Sequence, residues 1–248
     1  MIPFFKIIGK AKKLVYTPSI ILGVIKILLN LLKKPKCLKK RDLNSKLVKR
    51  RGKLYVINKG RTNCLNYGLN FCKGKYIAIL DSDDVAKKNR IKSQLNWLEK
   101  NQNTWMVASN YNLVAENKNF IKKIKNSKTF SKNPRTLLYK NIIAHSTVMY
   151  RKKLIGLIGK YPKKYLYAQD YAFYLKVFKR FNIKTLELSL VDIREPHKNS
   201  ETFRRSKSRL ITLEEIKLLI WSFKNFNLIF KEKIFISYSL LKKICKLI

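Results

Sequence analysis

The sequence predicts an α/β fold in the middle of the chain, a mostly parallel sheet with helices on both faces. Three observations carry this expectation. Apolar runs of strand length alternate with segments of helical spacing from Leu54 to Ile193. The run Tyr76 to Leu80 (YIAIL) is apolar throughout, as in a strand buried on both faces, and it stops at a cluster of acids. Finally, 248 residues at 46% hydrophobic content are enough to fill a core, which excludes a disordered chain.

Taken in order, Leu54 to Ile57 is a short apolar strand, and Thr62 to Cys72 reads as a helix closed by Lys73-Gly74. After the YIAIL strand, Lys87 to Lys100 shows helical spacing through Ile91, Leu95 and Leu98. Trp105 to Ser109 and Ser146 to Tyr150 read as strands, separated by an Asn/Lys-rich connection from about Glu116 to Asn133. Asp170 to Phe181 is a helix with Phe173, Val177 and Phe178 inward, followed by strands at Lys184 to Leu186 and Val191 to Arg194.

The two ends differ from this core, giving expected boundaries at 1–50, 51–207 and 208–248. Leu14 to Leu32 is almost wholly apolar, is interrupted by Lys26 and Asn30, and is flanked by lysines. Because about 20 apolar residues are needed to cross a bilayer, a segment with an internal charge lies more cheaply in the interface, its lysines reaching the headgroups. A buried helix of a globular domain is the alternative. Leu210 to Phe230 and Ile234 to Ile248 again pair apolar and aromatic residues with lysines at helical spacing, which suits either an anionic membrane surface or packing on the chain's own core. The expected location is cytoplasmic, peripheral at the inner face of the membrane.

Charge is lopsided, with 56 Lys and Arg against 14 Asp and Glu, a formal +42. Most of the basic residues are Lys, which offers no bidentate guanidinium fork, and they are dispersed with no nucleic-acid module; nucleic-acid binding is therefore disfavoured. Four cysteines, Cys37, Cys64, Cys72 and Cys245, show no framework and argue against disulfides or a zinc site.

Against this basic background the run ILDSDD, Ile79 to Asp84, stands out. Three carboxylates in four residues repel one another unless a divalent cation or hydrogen-bond donors hold them. Asp81 and Asp83, at i and i+2, can both face an opening at the carboxyl end of the strand, where open α/β sheets bind ligands. Such a pair suits Mg²⁺ or Mn²⁺ carrying a diphosphate, since these ions take one or two protein carboxylates and leave the remaining positions to phosphate and water. A helix N-cap would account for Asp84 but not for all three. His145, before Ser-Thr on an apolar run, reads first as a hydrogen-bonded rim or core residue.

The run NKGRTNCLNYGLNFCKGKYIAILDSDD, Asn58 to Asp84, resembles the nucleotide-sugar-binding core of family 2 glycosyltransferases, with Asn58, Gly60, Asn66, Gly68, Gly74, Asp81, Asp83 and Asp84 in register. The similarity continues through Arg90 and Gln94, HSTVMYR (His145 to Arg151), YAQDYAFYLK (Tyr167 to Lys176) and REPHKNS (Arg194 to Ser200). Four ordered blocks are far more specific than a lone Asp-x-Asp.

The resemblance implies a GT-A fold and transfer of a sugar from a nucleotide-diphosphate donor to a hydroxyl of a glycan or lipid-linked acceptor, with inversion as the expected course. It assigns Asp81 to the ribose, Asp83 to the metal, and Asp170 to the base that takes the acceptor proton. Asn58, Gly60, Asn66, Arg194 and His197 are assigned to the donor side. Gln169 stands where the family has Glu, which removes one charge beside the presumed base. Met1 to Lys53 shows no match to the family's opening strand–helix–strand unit. The expectation is therefore an N-terminally truncated core that binds donors weakly alone. Either a second chain supplies the missing unit, or the protein is a catalytically impaired, membrane-associated remnant.

Overall fold

The computed structural model describes residues 46–50, 53–57, 61–115, 117, 119–195 and 208–247. The segment Leu14 to Leu32 and the expected site residues Asn58, Gly60 and His197 lie outside the described residues. Strands β1 (Lys46–Arg50) and β2 (Lys53–Ile57) form an antiparallel hairpin with Lys46 opposite Ile57. β1 falls in the stretch assigned to the N-terminal segment. Its five residues, KLVKR, hold too few apolar side chains between basic ones to display a strand period.

The chain continues through α1 (Arg61–Leu69), β3 (Tyr76–Ala78), β4 (Val85–Ala86), α2 (Arg90–Lys100), β5 (Thr104–Val114), β6 (Phe120–Ile124) and α3 (Asn126–Lys132). A 3-10 turn at His145–Thr147 then leads into β7 (Met149–Arg151), α4 (Lys153–Ile158), α5 (Gln169–Arg180) and β8 (Asn182–Arg194). Two helices follow, α6 (Arg209–Asn225) and α7 (Phe230–Cys245).

The main sheet has the order β3-β7-β5-β8-β4, with β6 added to β5. The α/β class is as expected, but the sheet is mixed rather than mostly parallel. Among the described residues β5 and β8 pair in parallel, whereas β3–β7, β7–β5, β4–β8 and β5–β6 are antiparallel. Strands of two or three residues carry no directional signal in their sequence, so neither the antiparallel entry of β7 between β3 and β5 nor that of β4 beside β8 is legible there.

Three further departures have local causes. β8 is one strand where two were expected, because the pairing with β5 shifts from Ser109–Leu186 to Asn110–Ser189 and leaves Glu187 and Leu188 outside the ladder. The Asn/Lys-rich connection holds β6 and α3, and lysines on the exposed β6 conceal its strand character. In α2 the inward stripe is Arg90, Gln94 and Leu98, while Ile91 is exposed. Arg90, 1% exposed, is turned inward because backbone acceptors await it: its Nη2 donates to the carbonyls of Ile79 at 2.6 Å and Val148 at 3.3 Å, and its Nε to Gln94 Oε1 at 3.1 Å. Gln94 in turn donates to the Thr147 carbonyl at 2.7 Å. Burial lowers the Arg90 pKa to about 10 against the opposing charge of Asp84. This buried pair ties the end of β3 to the turn before β7, directly behind the acidic run.

Leu98, Val107 and Met149 form one core cluster, flanked by Tyr76 and Trp97. α5 contributes Tyr171, Ala172, Phe173, Tyr174, Leu175 and Val177, all buried. α6 packs inward through Ile216, Leu218, Leu219 and Ile220. The apolar face around Leu218 is therefore protein core, which resolves for α6 the choice between membrane and own domain. α7 buries Ile236 and Leu240 and leaves Phe230, Ile234, Tyr238 and Leu241 exposed on its other side.

Candidate active site

A cleft of about 330 Å³ opens beyond the carboxyl end of β3. Its lining includes Asp81, Asp83, Asp84, Asp170 and Arg194, drawn from three separated blocks of the sequence. The acidic run is positioned by a turn, in which the Asp84 amide donates to the Asp81 carbonyl at 3.2 Å. The turn is anchored by Ile79, whose amide donates to Val148, and by the Asp81 amide, which donates to Ser146 Oγ at 3.0 Å.

The three carboxylates then meet different surroundings. Asp81 Oδ2 accepts from Arg61 Nη2 at 2.6 Å, and its Oδ1 lies 3.4 Å from His145 Nδ1. Burial would raise the Asp81 pKa, but the His145 hydrogen bond and the Arg61 charge outweigh it and bring it down to about 2. Asp84 Oδ1 accepts the Arg194 backbone amide at 3.1 Å, joining the acidic turn to the end of β8. Burial pushes Asp84 up in spite of hydrogen bonds from Ser146 and the Arg194 amide. It is not a helix cap, since α2 is preceded by Asn89 and has no acid in its first turn. Asp83 is exposed and makes no hydrogen bond or ion pair among the described residues.

This division bears on a cation. No group of three or more metal-ligating side chains exists among the described residues. One open carboxylate, Asp83, beside two engaged ones nevertheless fits an ion such as Mg²⁺ or Mn²⁺ that completes its shell with phosphate and water.

Asp170 lies in the first turn of α5, where its Oδ1 accepts the Tyr171 amide at 2.7 Å. Arg194, the last residue of β8, also lines the cleft. Asn66 is not in the cleft. It is buried and bonded to the backbone of Tyr161 in both directions, donating to the carbonyl at 2.8 Å and accepting the amide at 2.9 Å. With Thr62, which donates to the Tyr165 carbonyl at 2.9 Å, it fastens α1 to the 161–165 loop. The structure gives it a structural contact in place of the expected donor contact, because it is buried away from the cleft lining and its amide braces the 161–165 loop.

Arg61 and His145 also line the cleft, although the sequence does not single out Arg61 and reads His145 first as a rim or core residue. Arg61 opens α1 and faces both Asp81 and Asp170; burial opposes its charge, yet the two carboxylates raise its pKa. His145, 6% exposed, has Nδ1 3.1 Å from Arg61 Nη2 and Nε2 3.2 Å from the Tyr161 hydroxyl. One Nδ1 can donate to Asp81 or accept from Arg61, not both at once, so His145 orients the pair. Only the place of Arg61, directly after Asn-x-Gly, signalled it in the sequence.

Gln169 is 0% exposed and does not face the cleft. With its amide nitrogen turned toward the loop it donates to the carbonyls of Leu166 at 3.2 Å and Tyr167 at 2.9 Å. The Glu-to-Gln departure therefore alters a loop brace rather than the charge facing an acceptor.

Comparison with known proteins agrees with this layout. The family described as Glycosyl transferase family 2 matches residues 46–158. The chain is 29% identical over 162 residues to an uncharacterized glycosyltransferase, MJ1057, of Methanocaldococcus jannaschii, covering 64% of this chain and 56% of that one. It is also 29% identical over 163 residues to the Escherichia coli UDP-Gal:alpha-D-GlcNAc-diphosphoundecaprenol beta-1,3-galactosyltransferase, covering 64% and 57%. The chain thus spans a little over half the length of these curated relatives. Among solved structures it is similar to the mannosyltransferase PcManGT of Pyrobaculum calidifontis in complex with GDP-Man and Mn²⁺, with TM-score 0.52, 14% identity, and coverage of 76% of this chain and 52% of that one. Similarity to S. aureus TarS 1-349 gives TM-score 0.51 at 17% identity, covering 75% and 51%. At such identities the structural likeness bears on the fold alone, which is GT-A.

Proposed function

This chain belongs to glycosyl transferase family 2, and from that premise we propose that its cleft moves a sugar from a nucleoside-diphosphate donor to a hydroxyl of a lipid-linked or glycan acceptor, with inversion. The observation that carries the reading is the convergence of Asp81, Asp83, Asp170 and Arg194 on one cleft from blocks far apart in sequence. The lipid-linked class is supported by the diphosphoundecaprenol acceptor in the name of the E. coli relative.

In this reading Asp81, ionised at any working pH because its pKa lies near 2, accepts hydrogen bonds from the ribose hydroxyls. Arg194, which lines the same cleft, would meet the charge of the diphosphate. Asp83 would hold Mg²⁺ or Mn²⁺, which when bound would supply Lewis-acid stabilisation of the leaving diphosphate. Asp170 accepts the acceptor's proton as its oxygen attacks the anomeric carbon on the face opposite the leaving group. Such a centre has oxocarbenium character, so proton removal on one side and charge stabilisation on the other both lower the barrier.

The test is a panel of nucleoside-diphosphate sugars with Mn²⁺ or Mg²⁺, with and without an undecaprenyl-diphosphate-linked sugar. One donor is expected to release nucleoside diphosphate, and faster with acceptor present. If every donor stays intact with either ion, the reading falls and the impaired remnant replaces it.

Peripheral attachment at the inner face of the membrane belongs to the same proposal. No helix of the described residues is long and apolar enough to cross a membrane. The exposed row Phe230, Ile234, Tyr238 and Leu241 on α7, flanked by exposed Lys231, Lys233 and Lys242, suits lying on an anionic surface instead. Each nearby Lys is attracted by about 1 kcal/mol. Flotation is expected to show the protein on anionic vesicles in preference to neutral ones, with Ile234→Asp plus Leu241→Asp reducing the bound fraction. Equal partitioning onto both vesicle types would remove the electrostatic part of the proposal.

A further inference from the structure

We propose that Glu214 of α6 is a positioning residue for Asp170, holding the turn that leads into α5 through a clamp that Gln169 completes. The inference rests on the reading of Asp170 as the base. Glu214 is 3% exposed, and its carboxylate receives three consecutive backbone amides: Leu166 donates to Oε1 at 2.7 Å, and Tyr167 and Ala168 donate to Oε2 at 2.9 Å each. Successive N–H groups converging in this way form a concavity for an anion. These amides lie at and before the start of α5, where the helix itself supplies no acceptor. Ala168, which precedes α5, has no side-chain oxygen, and no side-chain cap is made there. Glu214 provides from a separate helix what a capping Ser or Asp provides locally.

The other edge of the same turn is held by Gln169, whose amide nitrogen faces the carbonyls of Leu166 and Tyr167. Two buried side chains thus take up the amides of residues 166–168 and the carbonyls of Leu166 and Tyr167, while the Ala168 carbonyl accepts the Ala172 amide inside α5. Asp170 follows immediately, and its Oδ1 is occupied by the Tyr171 amide, so its second oxygen remains for the cleft it lines. The place of that oxygen depends on where the first turn of α5 begins, which the clamp sets. A misplacement of about 1 Å at a reacting group can cost about 10²-fold in rate. The position where the resemblance expects Glu holds Gln, and the carboxylate serving this turn arrives from α6.

Two variants and two readouts test this. Glu214→Gln keeps the volume but replaces a charged acceptor by one that turns an amide nitrogen toward N–H donors. Gln169→Glu turns a carboxylate toward two carbonyls. In each, hydrogen exchange at the amides of Leu166 to Ala168 and Tyr171 is expected to accelerate by about 10-fold or more, the scale of losing a hydrogen bond to a charged group, while β5 and β8 keep their protection. In transfer assays kcat should fall by about 10-fold or more with donor KM within about twofold, the signature of a group placed for the chemical step. Unchanged exchange at 166–168 in Glu214→Gln overturns the clamp. Faster exchange with unaltered kcat overturns the positioning role, and acceleration spread through β5 and β8 reduces Glu214 to general stability. A wild-type protein without turnover counts against the transferase reading, and the exchange measurement then decides the clamp by itself.

Discussion

Asp170→Asn is expected to lower kcat by about 10²- to 10⁴-fold, the range that a positioned general base contributes, and to leave donor binding nearly as it was. The substitution preserves shape, and its amide oxygen can still accept the Tyr171 N–H that holds Asp170 at 2.7 Å, so the start of α5 should survive. What disappears, on the proposed role of Asp170 as base, is the ability to take a proton from the acceptor hydroxyl. Because the group acts only as the acceptor oxygen attacks, kcat and kcat/KM should fall together. Steady-state transfer with a saturating donor, paired with calorimetric binding of the same donor, separates the two effects. A variant that turns over at the wild-type rate moves the base elsewhere, and Glu195, which also lines the cleft, is then the carboxylate to examine.

The acidic run was legible in the sequence because so many charges of one sign at the end of an apolar strand have few explanations in a chain of net charge +42. Its three members were not distinguishable there. What separates them is long-range: Arg61 and His145 for Asp81, the β8 backbone for Asp84, and open surroundings for Asp83. Asn66 illustrates the converse error, since its place in the motif suggested a ligand contact while its partners, the Tyr161 amide and carbonyl, come from a distant loop. Helices α2, α5 and α6 showed their period clearly, yet the period did not give the inward face of α2, because a buried Arg90 contradicts any hydrophobic count. The sheet directions were hidden for a related reason. β3, β4 and β7 are too short to alternate, and β8 is divided by the residues that leave its ladder at 187–188. Glu214 left no signal at all, for nothing in a helical run distinguishes a glutamate that points to solvent from one that receives three amides.

Asp83→Ala should abolish most of the divalent-cation binding that depends on a nucleoside diphosphate. Loss of an outer-sphere partner of a metal site typically costs about 10- to 100-fold in affinity, so loss of the carboxylate that contacts the ion should cost about 100-fold or more. The environment of each acid makes the prediction selective. Asp81 is committed to Arg61 and His145, and releasing it for a cation would break a 2.6 Å ion pair. Asp84 is committed to the Arg194 amide, and burial penalises its charge. Asp83 alone among the three enters the cleft without a competing partner among the described residues, so an ion gains its full charge without first displacing a cation of the protein. Titrating Mn²⁺ into protein with UDP or GDP by calorimetry or electron paramagnetic resonance checks this. Asp83→Ala is expected to remove the signal while the circular dichroism spectrum and thermal unfolding stay close to wild type, since an exposed turn carboxylate supports little of the fold. Full retention of nucleotide-dependent Mn²⁺ binding would exclude Asp83 as the ligand and pass the role to another carboxylate of the same cleft.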